Sequence, residues 1–293
     1  MGTGPERTRR KAKFGRLMTQ FRTRVDPALT PEKLAKQLGV NRTTINRMEA
    51  GLTVPSRLLM NALLGFYNVS DEERAEAEQL WHDAKQPPAT VSFEPAGGPP
   101  EFRSLYRAEW EASEVINLAT QAIPGLLQTP DYVRALERAA GASALSDEPI
   151  DAEAAVRARQ GRQQRLTGPD PITVRALIDQ GVLRRLVGGA AVMSDQLNHL
   201  LRLSELPNVT LRVIPETAGA YGLMSGSVTM LHFSDPDDPA AVYLEYPGGG
   251  SWVEDRAAVN RFRRMLEGVE EVALSADETA ELIRELLAEL EEQ

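Results

Sequence analysis

Arg42, Thr43, Thr44, Asn46 and Arg47 fall within six consecutive positions of the chain. Their side chains share one kind of chemistry. A guanidinium fork matches O6 and N7 of guanine, a carboxamide matches adenine, and a threonine methyl can touch the methyl of thymine. Asn41 and Thr43 open the same stretch, where a hydroxyl, an amide or a helix N-terminus can hold phosphate. Lys33 and Lys36, a little upstream, are candidates for contact with a phosphate backbone. The set is a vocabulary for hydrogen bonding to double-stranded DNA, provided that the flanking chain can present it on one surface.

The flanking chain has the means. In "TPEKLAKQLGVNRTTINRMEAG" (30–51), Thr30 is a suitable N-cap and Pro31 fits the first helical position. Leu34, Ala35 and Leu38 then share one face. Gly39 can take the left-handed conformation of a sharp turn, Asn41 can cap a second helix, and Gly51 closes it. Ile45 and Met48 are that helix's inward pair, which leaves Arg42, Thr43, Asn46 and Arg47 facing outward with Thr44 beside them. Ala35 precedes the turn glycine by four residues and Ile45 follows it by six. A helix-turn-helix needs a small residue where its helices cross, glycine at the turn and a branched apolar residue facing back. Glu49 is expected to pair locally, because a carboxylate turned toward phosphate would be repelled.

Charge is distributed to match. The 293 residues carry a formal −9, yet residues 1–60 hold 13 Lys or Arg against 4 acids, a formal +9 that leaves −18 for the rest. A basic head on an acidic body is expected when one module meets phosphate. Arg7, Arg9, Arg10, Lys11 and Lys13 are expected to form a mobile basic arm ahead of an amphipathic helix with Leu17, Phe21 and Val25 inward. "SRLLMNALLGFYNV" and "SDEERAEAEQLWHDA", the latter opened by a Ser70/Glu73 capping box, complete a five-helix domain.

Five prolines and two glycines then fall between Gln86 and Phe102, too many for a packed element. The expected organisation is a DNA-binding head at 1–85, a Pro/Gly-rich linker at 86–101 and a body at 102–293. The body alternates helical and strand patterns. Strands are expected in "PITVRALID", "NVTLRVIP", "GSVTMLHF" and "AAVYLEY", four or five in all, and the class is α+β. In "DAEAAVRARQGRQQRL" the basic residues read as a solvated helix face.

Other chemistries find little support. There is no cysteine, so disulfides, thiolate catalysis and Cys-ligated metals are excluded. His82, His199 and His232 lie in unrelated segments without metal-ligand spacing. "GLMSGS" lacks the Gly-x-Ser-x-Gly spacing of a nucleophile turn. Asp179 and Glu245 are two carboxylates whose separation the sequence does not give. No enzymatic activity, metal or cofactor is expected. No apolar run approaches the roughly 20 residues of a membrane span, and no secretory signal is apparent, so a cytoplasmic location is expected. A pocket is conceivable where Tyr243 and Glu245 share one face of a strand, with Tyr221 and Trp252 joining it.

"GVNRTTINRMEAG" resembles the Xre-type helix-turn-helix of the λ-repressor class. It departs from the pattern at Pro31, where many members have a glutamine that grips phosphate, and that contact must be lost or supplied elsewhere. "IPGLLQTPDYVRAL", "VLRRLVGG", "LPNVTLRVIP" and "AVYLEYPGGGSWVED", in that order, resemble the C-terminal domain of a large actinobacterial regulator family that includes the WhiJ-like, antitoxin-like regulators. The resemblance implies a λ-repressor-like head and a transcription regulator, often acting beside a small protein encoded by a neighbouring gene. It implies no settled ligand. Two functions stay open: regulation through a ligand or protein partner of the body, or an antitoxin-like interaction module whose DNA binding is autoregulatory. A homodimer is expected through the body, because Leu282, Leu286 and Leu290 recur beside Ile283 and Leu287 in a stripe wider than one neighbour requires.

Overall fold

The computed structural model describes residues 9–85, 100–142, 151–234, 239–246 and 249–292. The chain divides into two compact units, Met1–Thr90 and Val91–Gln293. The expected linker lies outside the described residues except at 100–101, which already begin a helix. No helix among the described residues is long and apolar enough to cross a membrane.

The first unit is all-helical: α1 (Arg9–Val25), α2 (Pro31–Leu38), α3 (Arg42–Glu49), α4 (Arg57–Tyr67) and α5 (Asp71–Lys85). Phe14, Met18, Leu34, Ile45, Met48, Met60, Leu63 and Leu64 fill its core. The capping box at the start of α5 forms: Glu73 accepts from the Ser70 amide at 2.9 Å and donates its own amide to the Ser70 hydroxyl at 3.2 Å. Trp81 is buried and its indole donates to the Pro55 carbonyl at 2.9 Å, tying α5 to the segment after α3.

Two expectations for this unit need correction. Arg9, Arg10, Lys11 and Lys13 are helical, not a mobile arm; Arg7 lies outside the described residues. The helix starts early because Ala12 and Phe14 are buried, and Ala12 meets the chain at Gly51. Val25 is exposed, since the buried face of α1 runs through Phe14, Leu17, Met18, Phe21 and Arg22 instead.

The second unit is α+β. Its elements are α6 (Pro100–Glu111), β1 (Glu114–Ala119), α7 (Pro130–Ala142), α8 (Ala152–Thr167), β2 (Thr173–Asp179), α9 (Gln180–Arg184), α10 (Ala190–Ser204), β3 (Val209–Ile214), β4 (Val228–His232), β5 (Ala241–Tyr246), β6 (Gly249–Val253), α11 (Arg256–Val272) and α12 (Ala276–Glu291). The described strands make one sheet of six, in the order β3-β2-β1-β4-β5-β6. β1, β2 and β3 run parallel, and β4, β5 and β6 continue antiparallel. One face packs Val115, Val174, Ala176, Leu211 and Tyr243 against residues of α6, α7, α8, α10 and α12. The other packs Ile116, Leu118, Leu177, Met230 and Val242 against Val259, Leu266 and Val269 of α11.

Six strands replace the expected four or five. β1 is buried on both faces and flanked on both sides, so its residues show no apolar/polar alternation; even Asn117 is buried, donating to the Thr229 hydroxyl at 2.9 Å. β6 is glycine-rich for a packing reason: a Cβ at Gly250 would stand 2.0 Å from the Tyr243 hydroxyl oxygen.

The basic residues of α8 are not a solvated face either; of them only Arg157 is exposed. Arg162 lies over the Tyr106 ring and 2.5 Å from a Glu109 carboxylate oxygen, with both side chains about 6% exposed. Arg159 donates to Gln128 at 2.8 Å and faces Glu137 at 3.3 Å. Arg165 donates to the carbonyls of Trp110 and Ala112. These arginines fasten α8 to α6, to the chain before β1 and to the segment between β1 and α7.

The α12 stripe is also accounted for within its own unit. Ile283 and Leu286 are buried, and Leu282, Leu287 and Leu290 pack against the same core. The apolar surface that motivates a dimer through the body is therefore covered by the body itself.

Removing one member of a buried ion pair strands the other's charge. Glu109→Ala is expected to destabilise the second unit by about 3–5 kcal/mol, whereas Glu109→Leu combined with Arg162→Met should recover most of that loss. Urea unfolding followed by the fluorescence of Trp110 and Trp252 variants checks the order.

Candidate nucleic-acid interface

α2, the turn and α3 assemble as their sequence dictates. The Thr30 hydroxyl accepts from the Lys33 amide, and Pro31 opens α2. Gly39 follows at φ 67°, ψ 28°, left-handed, and the Val40 amide returns to the Ala35 carbonyl at 3.0 Å. Asn41 is extended, and its side-chain oxygen accepts from the Thr43 amide at 2.8 Å. Ile45 and Met48 are fully buried, as are Leu34 and Ala35. α3 thus has one solved face and one open one.

The open face holds the sequence-selected residues. Asn41, Arg42, Thr43, Asn46 and Arg47 are exposed, and Thr44 is half-buried at their edge. Asn41 acts first as a cap. Arg42 stands 3.5 Å from Glu32 in a largely solvated pair, which phosphate or a base edge can displace at small cost. Lys33 is exposed, and its ammonium donates to the Ala28 carbonyl at 3.2 Å, just ahead of α2. Lys36 is exposed on the same helix.

What holds α3 in place comes from α1, through a residue that no local sequence pattern singles out. Arg22 donates through Nε to Glu49 Oε1 at 2.7 Å and through Nη2 to Oε2 at 2.9 Å. Its Nη1 donates to the Leu29 carbonyl at 2.5 Å, so one guanidinium joins the end of α3 to the chain entering α2. Both side chains are about 10% exposed. The bond to Glu49 raises the Arg22 pKa further, so the guanidinium stays charged. Nearby, burial lifts the Tyr67 phenol well above its ordinary range, and Glu49 adds to the effect. Glu49 is paired within the head, but not locally as expected: its partner lies 27 residues away on α1, too far for any local pattern to indicate.

Two glycines permit this closeness. A Cβ at Gly15 would lie 2.5 Å from the Met48 carbonyl oxygen and 2.6 Å from that of Glu49. Gly51 has φ 70°, and a Cβ there would lie 2.6 Å from the Ala12 Cα. Backbone therefore meets backbone where α1 crosses the end of α3.

In the second unit the four suggested pocket residues do not assemble. Tyr243 and Trp252 pair across β5 and β6 with ring centroids 5.2 Å apart, and both belong to the core covered by α6–α10 and α12. Glu245 follows on that side of β5, at the strand's exposed end. Tyr221 packs on the opposite side of the sheet and donates to Asp179 at 2.7 Å. Strand parity explains the split: Asp179 alternates with Ile178, which faces the other core. Asp179 and Glu245 are for the same reason on opposite faces and form no carboxylate pair.

Residues 13–77 match the family model of a helix-turn-helix domain, and residues 102–285 match that of a domain of unknown function (DUF5753). Neither a curated protein nor a solved structure matches the chain.

Positioning and contact should separate by mutation. Glu49→Ala leaves Arg22 unpaired and is expected to cost the head on the order of 3 kcal/mol, with DNA affinity falling as α3 loses its pose. Arg47→Ala should leave the melting curve unchanged and cost about 1–3 kcal/mol of binding at a specific site. Parallel thermal melts and anisotropy titrations distinguish the two.

Proposed function

The chain belongs to the DUF5753 family, and from that premise and the geometry of its head we infer that it is a sequence-specific DNA-binding transcription regulator. The carrying observation is the open face of α3: Arg42, Thr43, Asn46 and Arg47 exposed together on a short helix whose other face is fully buried. α3 would enter the major groove with its N-terminal end leading. Arg42, Asn46 and Arg47 are the candidates for base edges, and Asn41, Thr43, Thr44 and Lys33 for phosphate and groove walls.

In this reading the head is of the Xre type and the DUF5753 body is the controlling part, acted on by a ligand or a protein partner. One helix-turn-helix spans too little DNA for genome-scale specificity, which favours two copies on half-sites about one helical turn apart. The covered α12 stripe gives no support to a body-mediated dimer, so pairing on DNA through the heads fits better.

Anisotropy titration against the DNA upstream of the protein's own gene tests the proposal. Specific binding should exceed binding to a shuffled duplex by about 10³-fold or more, and should weaken steeply with salt. Equal affinity for the two duplexes would refute sequence-specific recognition.

A further inference from the structure

α4 opens with Arg57 and carries no other charged residue. Met60, Leu63, Leu64 and Tyr67 turn into the core of the head. Leu58, Asn61, Ala62 and Gly65 stand on the other side, all exposed. They occupy the i, i+3, i+4 and i+7 positions of one helical stripe. Leu58 is 82% exposed, the most of any large apolar side chain among the described residues. Gly65 is helical, and a Cβ there would meet nothing within 4 Å. The packing of the head therefore does not call for glycine, which weakens a helix relative to alanine.

Exposed charge marks the neighbouring helices: Lys33 and Lys36 on α2, Arg42 and Arg47 on α3, Asp71 and Glu76 on α5. When two copies pair about a two-fold axis, each surface meets itself. A charged surface then brings like charges together, and the uncharged stripe of α4 does not. The stripe is also complementary to itself, because Leu58 projects while Gly65, two turns on, leaves a notch. In an antiparallel pair of α4 helices with the axis between Asn61 and Ala62, each Leu58 faces the Gly65 of the other copy. The two Asn61 carboxamides, each both donor and acceptor, meet near that axis.

We propose that this stripe of α4 is the surface through which two copies of the chain pair. The proposal rests on the reading that two heads act on adjoining half-sites, and it names the contact between them. The segment 50–56 joining α3 to α4 is tied down, with the Leu52 amide on the Arg47 carbonyl and the Trp81 indole on the Pro55 carbonyl. Pairing through α4 therefore fixes the spacing of the two α3 helices. A contact of one short helix face falls below the roughly 1,200 Å² of a stable interface, so the pair is weak in free solution and is best captured covalently.

The chain has no cysteine, so a single introduced one reports the contact. Ala62→Cys in the full chain, at micromolar concentration without DNA, should oxidise to a disulfide-linked dimer about tenfold or more faster than Gln20→Cys, exposed on α1. Reaction of each variant with an aromatic disulfide reagent corrects for thiol reactivity. In the Ala62→Cys background, Leu58→Ser removes the projecting side chain and Gly65→Gln fills the notch. Each should slow the linkage to the Gln20→Cys rate. A helix accepts glutamine better than glycine, so Gly65→Gln separates lost pairing from lost folding. Linkage of Ala62→Cys no faster than that of Gln20→Cys overturns the proposal and leaves the stripe to another part of the chain or to a different partner. Linkage that survives either Leu58→Ser or Gly65→Gln overturns it as well. No DNA enters the measurement, so failure of the operator experiment refutes recognition and not this contact, whereas absence of the linkage leaves recognition by a single head standing.

Discussion

The bidentate pair between Arg22 and Glu49 is the interaction on which the head depends. α2 and α3 have eight residues each, too short to be stable helices alone. Their geometry must come from tertiary contacts. Ile45 and Met48 fix which face of α3 is inward, but apolar packing is tolerant of small rotations. A fork of three hydrogen bonds reaching Glu49 and the Leu29 carbonyl is less so. Desolvating such a pair offsets much of its attraction, so its main contribution is to the register of α3 against α1. Gly15 and Gly51 make the pair geometrically available by letting the backbones touch.

The second unit uses buried charge in a related way. Glu109 and Arg162 are almost inaccessible, and Arg159 and Arg165 spend their donors on neighbouring segments. These contacts join α8 to elements that the sheet alone would not hold together. β1 and β2 lie under helices on both faces, which leaves the surface of the unit to its many carboxylates and to the arginines of α11. An acidic surface is poorly suited to phosphate backbone, whereas the head keeps exposed lysine and arginine beside α3.

Legibility in the sequence followed the range of the interaction. Thr30, Gly39, Asn41 and the Ile45/Met48 spacing act within a few residues, and the helix-turn-helix and its open face could be read from them. The Ser70/Glu73 capping box was equally local. The clamp on α3 was not legible, because Arg22 looks like any surface arginine until α1 is packed. β1 escaped because burial on both faces erases alternation, and β6 because its glycines answer to Tyr243 across the strand pair. The arginines of α8 have helical spacing that suits a wet face; only the positions of Glu109, Glu137 and Gln128 reveal otherwise. Tyr221 and Tyr243 belong together by residue type, while the sheet places them on opposite sides. Where α2 and α3 meet, each residue's role is set by its neighbours in sequence, and where strands pair it is set by neighbours across space.

The central claim is that the open face of α3 reads base edges. Selection of binding sites from random duplex DNA by the full chain and by its Asn46→Ala and Arg47→Ala variants tests it most directly. The account predicts that the intact chain enriches one motif and that each variant loses base preference at a confined position while the rest of the motif persists. The same motif recovered unchanged with both variants would contradict it.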